Sequence, residues 1–105
     1  MQPENVDAAE FARLAEDLAD AQLIDVRTPE EYEQGHLDGA QLVDIMDPDF
    51  AERIAELDKQ RPCLVYCRSG NRSFHAGMFM KQQGFEKVYN LADGILGWNG
   101  AVVTD

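Results

Sequence analysis

The residues best suited to chemistry lie in one short stretch, Cys67-Arg68-Ser69-Gly70-Asn71-Arg72-Ser73. It holds a thiol, two guanidinium groups and a glycine, which permits backbone angles that strain other residues. Such a loop can turn successive backbone N–H groups toward an anion, and its arginines can bind oxyanions through charge-assisted hydrogen bonds. We therefore predict that Cys67 is a nucleophile set in a cradle for negative charge.

The flanking segments predict that the thiol lies between a strand and a helix. Residues 62–66 form a short apolar run that is typical of a buried strand. Residues 73–83 have helical spacing, and Gly84 suits the position after a helix. A cysteine just before a helix N-terminus can have its pKa lowered from about 8.5 to roughly 3.5–7.5. No adjacent histidine or aspartate is then needed as a base.

Helices and strands are predicted to alternate along the rest of the chain. Capping patterns and periodicity predict helices over 7–20, 28–35 and from Asp47-Pro48 onward, and strands over 22–26, 40–43, 63–66 and 87–91, with a helical turn at 95–98. This alternation predicts an α/β fold with a mostly parallel central sheet and helices on both faces. Ligands of such sheets bind beyond the carboxyl ends of the strands, where Cys67 is expected.

Length and charge limit the classes of function. A chain of 105 residues predicts a single domain over 1–105, and a formal net charge of −11 argues against nucleic acid and anionic membrane as partners. The charge is uneven, because residues 1–58 hold 17 acidic and 3 basic residues, whereas residues 59–105 hold 3 acidic and 6 basic ones. The positive balance falls on the segment that contains Cys67.

Nothing in the sequence resembles a membrane span or a targeting segment. No apolar stretch approaches the roughly 18 residues of a transmembrane helix, and the first residues lack the basic and apolar regions of a signal peptide. We expect a cytoplasmic protein.

The second cysteine, Cys63, is expected to be structural. Four residues along a strand correspond to roughly 13 Å, which exceeds the reach of a disulfide, about 7 Å between Cα atoms. The two cysteines and the two histidines, His36 and His75, lack the close pairing of zinc ligands, so we predict no metal site.

Three segments, in this order and spacing, resemble the motifs of a single-domain rhodanese. They are Asp25 to Ala40, the Cys67–Ser73 loop and Gly94-Ile95-Leu96-Gly97-Trp98. The resemblance covers most of the chain and implies the rhodanese-like three-layer fold. Asp38 stands where the family often has proline, and Asp93-Gly94 where it often has two glycines, differences that we expect to affect local turns.

The resemblance implies a thiosulfate sulfurtransferase that needs no cofactor. The Cys67 thiolate would attack the outer sulfur of thiosulfate, release sulfite and hold the sulfane sulfur as a persulfide. Cyanide or a thiol would then accept that sulfur. The loop amides would stabilise the persulfide and the arginines the departing sulfite. Arg68 favours thiosulfate, because family members that use 3-mercaptopyruvate tend to have a small neutral residue there.

Other functions remain open. The same loop would serve a sulfur-carrier module that relays persulfide from a donor protein to an acceptor protein. A cysteine-dependent phosphatase or arsenate reductase is disfavoured, because its arginine follows the cysteine after five residues and Arg72 follows Cys67 after four. A silent interaction domain is disfavoured by the intact Cys67 and its two arginines.

Some polar residues outside the loop have structural interpretations. Asp25 and Arg27 follow a predicted strand and could border the pocket, although a structural ion pair is the better interpretation. We expect His36 to make a structural hydrogen bond, His75 to lie on the surface, and Trp98 to lie in the core or at the edge of a packed lid.

Overall fold

The computed structural model describes residues 1–104. Its strands are β1 (Glu4–Val6), β2 (Gln22–Asp25), β3 (Gln41–Leu42), β4 (Cys63–Tyr66) and β5 (Val88–Leu91). Its helices are α1 (Ala8–Asp17), α2 (Pro29–Gln34), α3 (Phe50–Ala55) and α4 (Asn71–Gln82), and a 3₁₀ turn, η1, spans Ile95–Gly97. The strands form one sheet in the order β1-β5-β4-β2-β3, and every pairing is parallel.

Apolar residues cover both faces of this sheet, which confirms the predicted α/β layers. On one face α3 and α4 pack over a cluster that includes Ile54, Val65 and Met80. On the other face α1, α2 and η1 pack over Phe11, Leu64 and neighbouring residues. The central strand β4 is buried along its whole length, as expected of a parallel strand between two helical layers.

Two helices begin where their capping residues predict. The Asp7 carboxylate accepts a hydrogen bond from the Glu10 N–H at 2.9 Å at the start of α1. Thr28 and Glu31 form a complete capping box around Pro29 at the start of α2. These side chains satisfy backbone donors that the first helical turn leaves free.

The third helix begins later than predicted. The Asp47 carboxylate accepts a hydrogen bond from the Asp49 N–H at 2.8 Å, which forms a local turn. Asp47-Pro48 therefore does not cap α3, which starts at Phe50 with no side-chain cap. Likewise α1 ends at Asp17, short of the predicted residue 20.

Strand β1 was not predicted, because Glu4-Asn5-Val6 is too short and too polar to show a strand pattern. It pairs with β5 at the edge of the sheet. Within residues 1–104, no helix is long and apolar enough to cross a membrane.

Helix α4 begins two residues before the predicted Ser73. Gly70, with φ +97°, is its N-cap residue, so Asn71 and Arg72 belong to the first helical turn. This glycine therefore lets the loop that follows β4 lead straight into α4.

Candidate active site

Cys67 directly follows β4 and is only 1% exposed. Its Sγ accepts hydrogen bonds from the Gly70 N–H at 3.1 Å, the Ser73 N–H at 3.4 Å and the Ser73 hydroxyl at 3.3 Å. Burial, the strongest single influence, raises the pKa of Cys67, but the hydrogen bonds from Ser73, Ser69 and Gly70 together outweigh it. The net pKa is below the ordinary value of a cysteine, so this site favours a thiolate.

The η1 turn holds the loop in this shape. The Ile95 N–H donates to the Cys67 carbonyl at 2.9 Å, and the Leu96 N–H donates to the Arg68 carbonyl at 3.1 Å. Because C=O and the next N–H point opposite ways across a trans peptide, fixing the Arg68 carbonyl turns the Ser69 N–H toward the sulfur.

The loop and the turn touch so closely that glycines are required. Gly94 has φ +65°, and a Cβ there would lie 2.2 Å from the Arg68 carbonyl oxygen. A Cβ on Gly70 would lie 2.0 Å from the Ala92 carbonyl oxygen. The motif that closes the chain thus supports the loop that contains Cys67.

The two arginines of the loop motif have different surroundings. Arg72 forms a two-pronged ion pair with Glu31 of α2, at 2.8 and 2.9 Å. The hydrogen bond from Arg72 is the main reason that the pKa of Glu31 is lowered to about 2. Arg68 is exposed and makes no ion pair with any residue among 1–104. Arg68 is therefore available to an incoming anion, whereas Arg72 already binds a carboxylate.

Ser69 and Asn71 lie on the outer side of the loop, where both are exposed. They border an open depression of about 360 Å³, whose remaining lining residues are Asn5, Gly70, Phe74, Asn90 and Ala92. This depression adjoins the loop on the β1 and β5 side of the sheet.

Asp25 and Arg27 form a buried ion pair that ties β2 to the end of α2. Arg27 donates to the Asp25 carboxylate at 2.7 Å and to the Gly35 carbonyl at 2.7 Å, and its guanidinium lies 5.6 Å from the centre of the Tyr66 ring. Burial opposes the charge of Arg27, but Asp25 outweighs it and raises the pKa of Arg27. These contacts favour the structural interpretation of the pair.

The remaining candidates also have structural surroundings. His36 is buried, stacks on Tyr32, and places Nδ1 2.8 Å from the Tyr32 carbonyl oxygen, while His75 is exposed. Cys63 is a free, fully buried thiol, and burial raises its pKa to about 11. Among residues 1–104 no group of three or more His, Cys, Asp or Glu side chains is placed to hold a metal ion.

Sequence reasoning missed Asn90 and Asn5, the two polar side chains that lie behind the loop. The Ser73 hydroxyl lies 2.5 Å from Asn90 Oδ1, and Asn90 Nδ2 donates to the Gly70 carbonyl and to Asn5 Oδ1. The one available signal was an asparagine inside the apolar strand Val88–Leu91. The pairing of Glu31 with Arg72 had no signal, since Glu31 was fully explained by its capping box.

Fold and site together define a parallel α/β domain whose strand-end cysteine lies in a loop of N–H donors. The chain belongs to the Rhodanese-like domain family, whose pattern matches residues 7–101. This match confirms the resemblance inferred from the three motifs.

Related proteins have names that refer to sulfur transfer. The chain is 38% identical over 94 residues to a sulfurtransferase of Allochromatium vinosum, covering 89% of this chain and 85% of that protein. It is 35% identical over 85 residues to the thiosulfate sulfurtransferase GlpE of Pseudomonas paraeruginosa, covering 81% of this chain and 76% of that protein. It is 40% identical over 78 residues to a putative sulfur carrier protein, YrkF, of Bacillus subtilis, covering 74% of this chain but 41% of that protein.

The fold also matches a solved structure. A rhodanese-like domain protein from Staphylococcus aureus superimposes with a TM-score of 0.85 over 97% of this chain and 98% of its own, at 19% identity. This comparison confirms the predicted rhodanese-like fold.

Proposed function

Family membership and the names of the relatives support sulfur transfer, and we propose that this chain moves sulfane sulfur from thiosulfate to cyanide or a thiol through a persulfide on Cys67. Residues 1–105 would act as one domain, without a metal or organic cofactor. The observation that supports this best is the buried Cys67 sulfur with its donors from Gly70 and Ser73, because it stabilises a thiolate without a base.

The proposed reaction has two displacements. In the first, the Cys67 thiolate attacks the outer sulfur of thiosulfate, a new S–S bond forms, and sulfite leaves with the electron pair of the broken S–S bond. In the second, the acceptor attacks the outer sulfur of the persulfide, and the Cys67 thiolate leaves. The Cys67 sulfur is a thiolate when it attacks in the first displacement and again when it leaves in the second. The N–H groups around it therefore stabilise its charge in both steps.

Arg68 is the residue proposed to attract the doubly charged donor. It is exposed beside the nucleophile, whereas Arg72 is paired with Glu31. We expect Arg68→Ala to raise the KM for thiosulfate several-fold. Lys87→Ala is the matched control, since it removes the same charge from an exposed residue just before β5. Lys87 lies at the amino ends of the strands, whereas the loop lies at their carboxyl ends. An unchanged KM in Arg68→Ala would remove this residue from donor binding.

A sulfur-carrier role is the second candidate. Leu96 is 62% exposed, and its N–H binds the carbonyl of the exposed residue Arg68, so an apolar residue and a cationic residue are neighbours beside the loop. Such a pair suits contact with another protein as well as with a small anion. The relative named as a putative sulfur carrier supports this role.

Phosphatase chemistry is less well supported. The loop places Arg72 after four intervening residues, and the guanidinium that would bind phosphate is bound to Glu31.

Intact mass after incubation with thiosulfate, then with cyanide, tests the proposal. We expect Cys63→Ala to gain one sulfur atom and lose it to cyanide, and Cys67→Ser to gain none. Loading of Cys67→Ser would contradict the assignment of the nucleophile. Loading only from a persulfidated partner protein would favour the carrier role. A cytoplasmic location, where acceptor thiols stay reduced, belongs to the same proposal and is tested by cell fractionation.

A further inference from the structure

The Ser73 hydroxyl has one proton and three neighbouring acceptors. Its oxygen lies 3.3 Å from Cys67 Sγ, 3.3 Å from the Gly70 carbonyl oxygen and 2.5 Å from Asn90 Oδ1. Ser73 and Asn90 are fully or almost fully buried. One proton cannot serve both the sulfur and the amide oxygen, so the two compete for it.

The orientation of Asn90 is determined by its neighbours. Its Nδ2 lies 3.1 Å from the Gly70 carbonyl oxygen, which can only accept, and 2.9 Å from Oδ1 of Asn5, its register partner on β1. A flipped amide would set two oxygens against each other at Gly70. Oδ1 must therefore face Ser73, and because Oδ1 has no proton, the hydroxyl is the donor.

A negative charge on the Cys67 sulfur opposes this donation of the Ser73 proton to Asn90. A neutral thiol can donate its own proton to the Ser73 oxygen, which leaves the hydroxyl proton on Asn90. A thiolate can only accept, so a hydroxyl that turns its proton to the sulfur leaves Oδ1 of Asn90 unpaired in a buried site.

We propose that Asn90 is a positioning residue that competes with the Cys67 thiolate for the hydroxyl proton of Ser73. The competition makes the thiolate less stable, hence a stronger nucleophile and a poorer leaving group. After loading, the negative charge lies on the outer sulfur, Sγ is neutral, and the hydroxyl returns to Asn90. Asn90 thus favours the persulfide over the free thiolate, an inference that rests on the proposed role of Cys67.

The other charged groups near Cys67 are the same in all of the variants that the test compares. Those on the surrounding elements are the Asp25–Arg27 pair after β2, Glu31 of α2, Arg68 in the loop, Arg72 and His75 of α4, and Asp93 after β5. From β1 and β5 the groups that reach the loop are the neutral amides of Asn5 and Asn90.

The test is the pH profile of Cys67 alkylation by iodoacetamide, measured in a Cys63→Ala background with and without Asn90→Leu. Freeing the hydroxyl lowers the pKa of Cys67, so the midpoint moves to lower pH. We expect alkylation about threefold faster well below the midpoint, because more thiolate outweighs its lower nucleophilicity, and about threefold slower well above it. If Asn90→Leu merely loosened the site, the alkylation rates well below and well above the midpoint would change in the same direction.

Ser73→Ala supplies the control, because without the hydroxyl there is no proton to compete for. Adding Asn90→Leu to Ser73→Ala should leave the pH profile of alkylation unchanged. If Asn90→Leu still made alkylation faster below the midpoint and slower above it in that background, the proposal would be overturned. If Asn90→Leu does not fold, Asn90→Val, which suits a strand, gives the same comparison. Alkylation needs no sulfur transfer, so a failed loading assay leaves this result readable. Where loading does occur, cyanide should remove sulfur faster from Asn90→Leu, and slower removal would contradict the proposal.

Discussion

The two cysteines of this chain occupy opposite ends of the same strand and have opposite acidity. Cys63 begins β4, Cys67 follows its last residue, and both belong to the same apolar cluster. Their exposed fractions are 0% and 1%. The pKa of Cys63 is raised to about 11, whereas that of Cys67 is lowered. Burial alone therefore does not decide which thiol has the lower pKa.

Hydrogen-bond donors explain the difference. Cys63 accepts one hydrogen bond, from the Gln22 side chain at 3.2 Å, and its own proton points to the Arg61 carbonyl, 3.7 Å away. Cys67 accepts from backbone N–H groups that the start of α4 leaves free, as well as from a hydroxyl. The carboxyl end of a parallel strand that feeds a helix thus supplies donors that its amino end lacks.

The largest expected effect is the difference in reactivity between the two thiols. At pH 7 a cysteine with a pKa of about 11 is a thiolate in about one molecule in ten thousand. We expect iodoacetamide to modify Cys67 in Cys63→Ala at least ~100-fold faster than Cys63 in Cys67→Ser. If the two alkylation rates, measured by intact mass, were within a few-fold of each other, the claim that the two thiols differ in acidity would be contradicted.

Disturbing the contact between η1 and the loop should make Cys67 as unreactive as Cys63. Gly94→Ala places a Cβ 2.2 Å from the Arg68 carbonyl oxygen at φ +65°. We expect sulfur loading to fall more than ~10-fold and the free energy of unfolding to fall by more than ~2 kcal/mol. Gly39→Ala is the control, with φ +84° but no atom within 4 Å, so it should lose only about 1 kcal/mol and keep its loading rate. Equal loading in both variants would show that η1 does not shape the loop.

Ser73→Ala should reduce the difference in pKa between Cys67 and Cys63, because it removes one hydrogen-bond donor to the Cys67 sulfur. The backbone N–H of Ser73 remains, while loss of the hydroxyl raises the pKa of Cys67. Loading at pH 7 should fall several-fold and recover at higher pH. Ser69→Ala, which keeps its N–H and loses only an exposed side chain, should retain the wild-type profile. A Ser73→Ala profile identical to wild type would exclude the hydroxyl as a donor.

The smallest effect is expected at Glu31. Its folded pKa of about 2 is below the ordinary 4.5, so its pairing with Arg72 stabilises the fold fully above pH 4.5 and is lost as pH falls toward 2. We expect Glu31→Gln to lower the free energy of unfolding at pH 7 by at most about 1 kcal/mol, since both side chains are partly exposed. Denaturation at several pH values should show this difference shrinking below pH 4.5. Glu30→Gln, at an exposed neighbour, should show no such trend.

The parts of the site that were predicted are those in which neighbours in sequence are also neighbours in space. The run from Cys63 through Gly70 to α4 is continuous, so apolar pattern, glycine and helix periodicity were enough to place the thiol between a strand and a helix. Even there, the helix start was misplaced by two residues, because α4 begins after Gly70, at φ +97°, and has no side-chain cap that would mark its start in the sequence.

The sequence by itself determined the alternation of elements, the two capped helix starts and the place of Cys67 between a strand and a helix, since each depends on preferences within one or two helical turns or one strand. Only the tertiary structure decided which distant side chains meet. Arg72 binds Glu31 across 41 residues, and Asn90 binds Asn5 across 85. These meetings follow from the strand order, which places β1 beside β5 and β2 beside β4. Strand order is set by burying both faces of the whole sheet at once, and no local pattern encodes it.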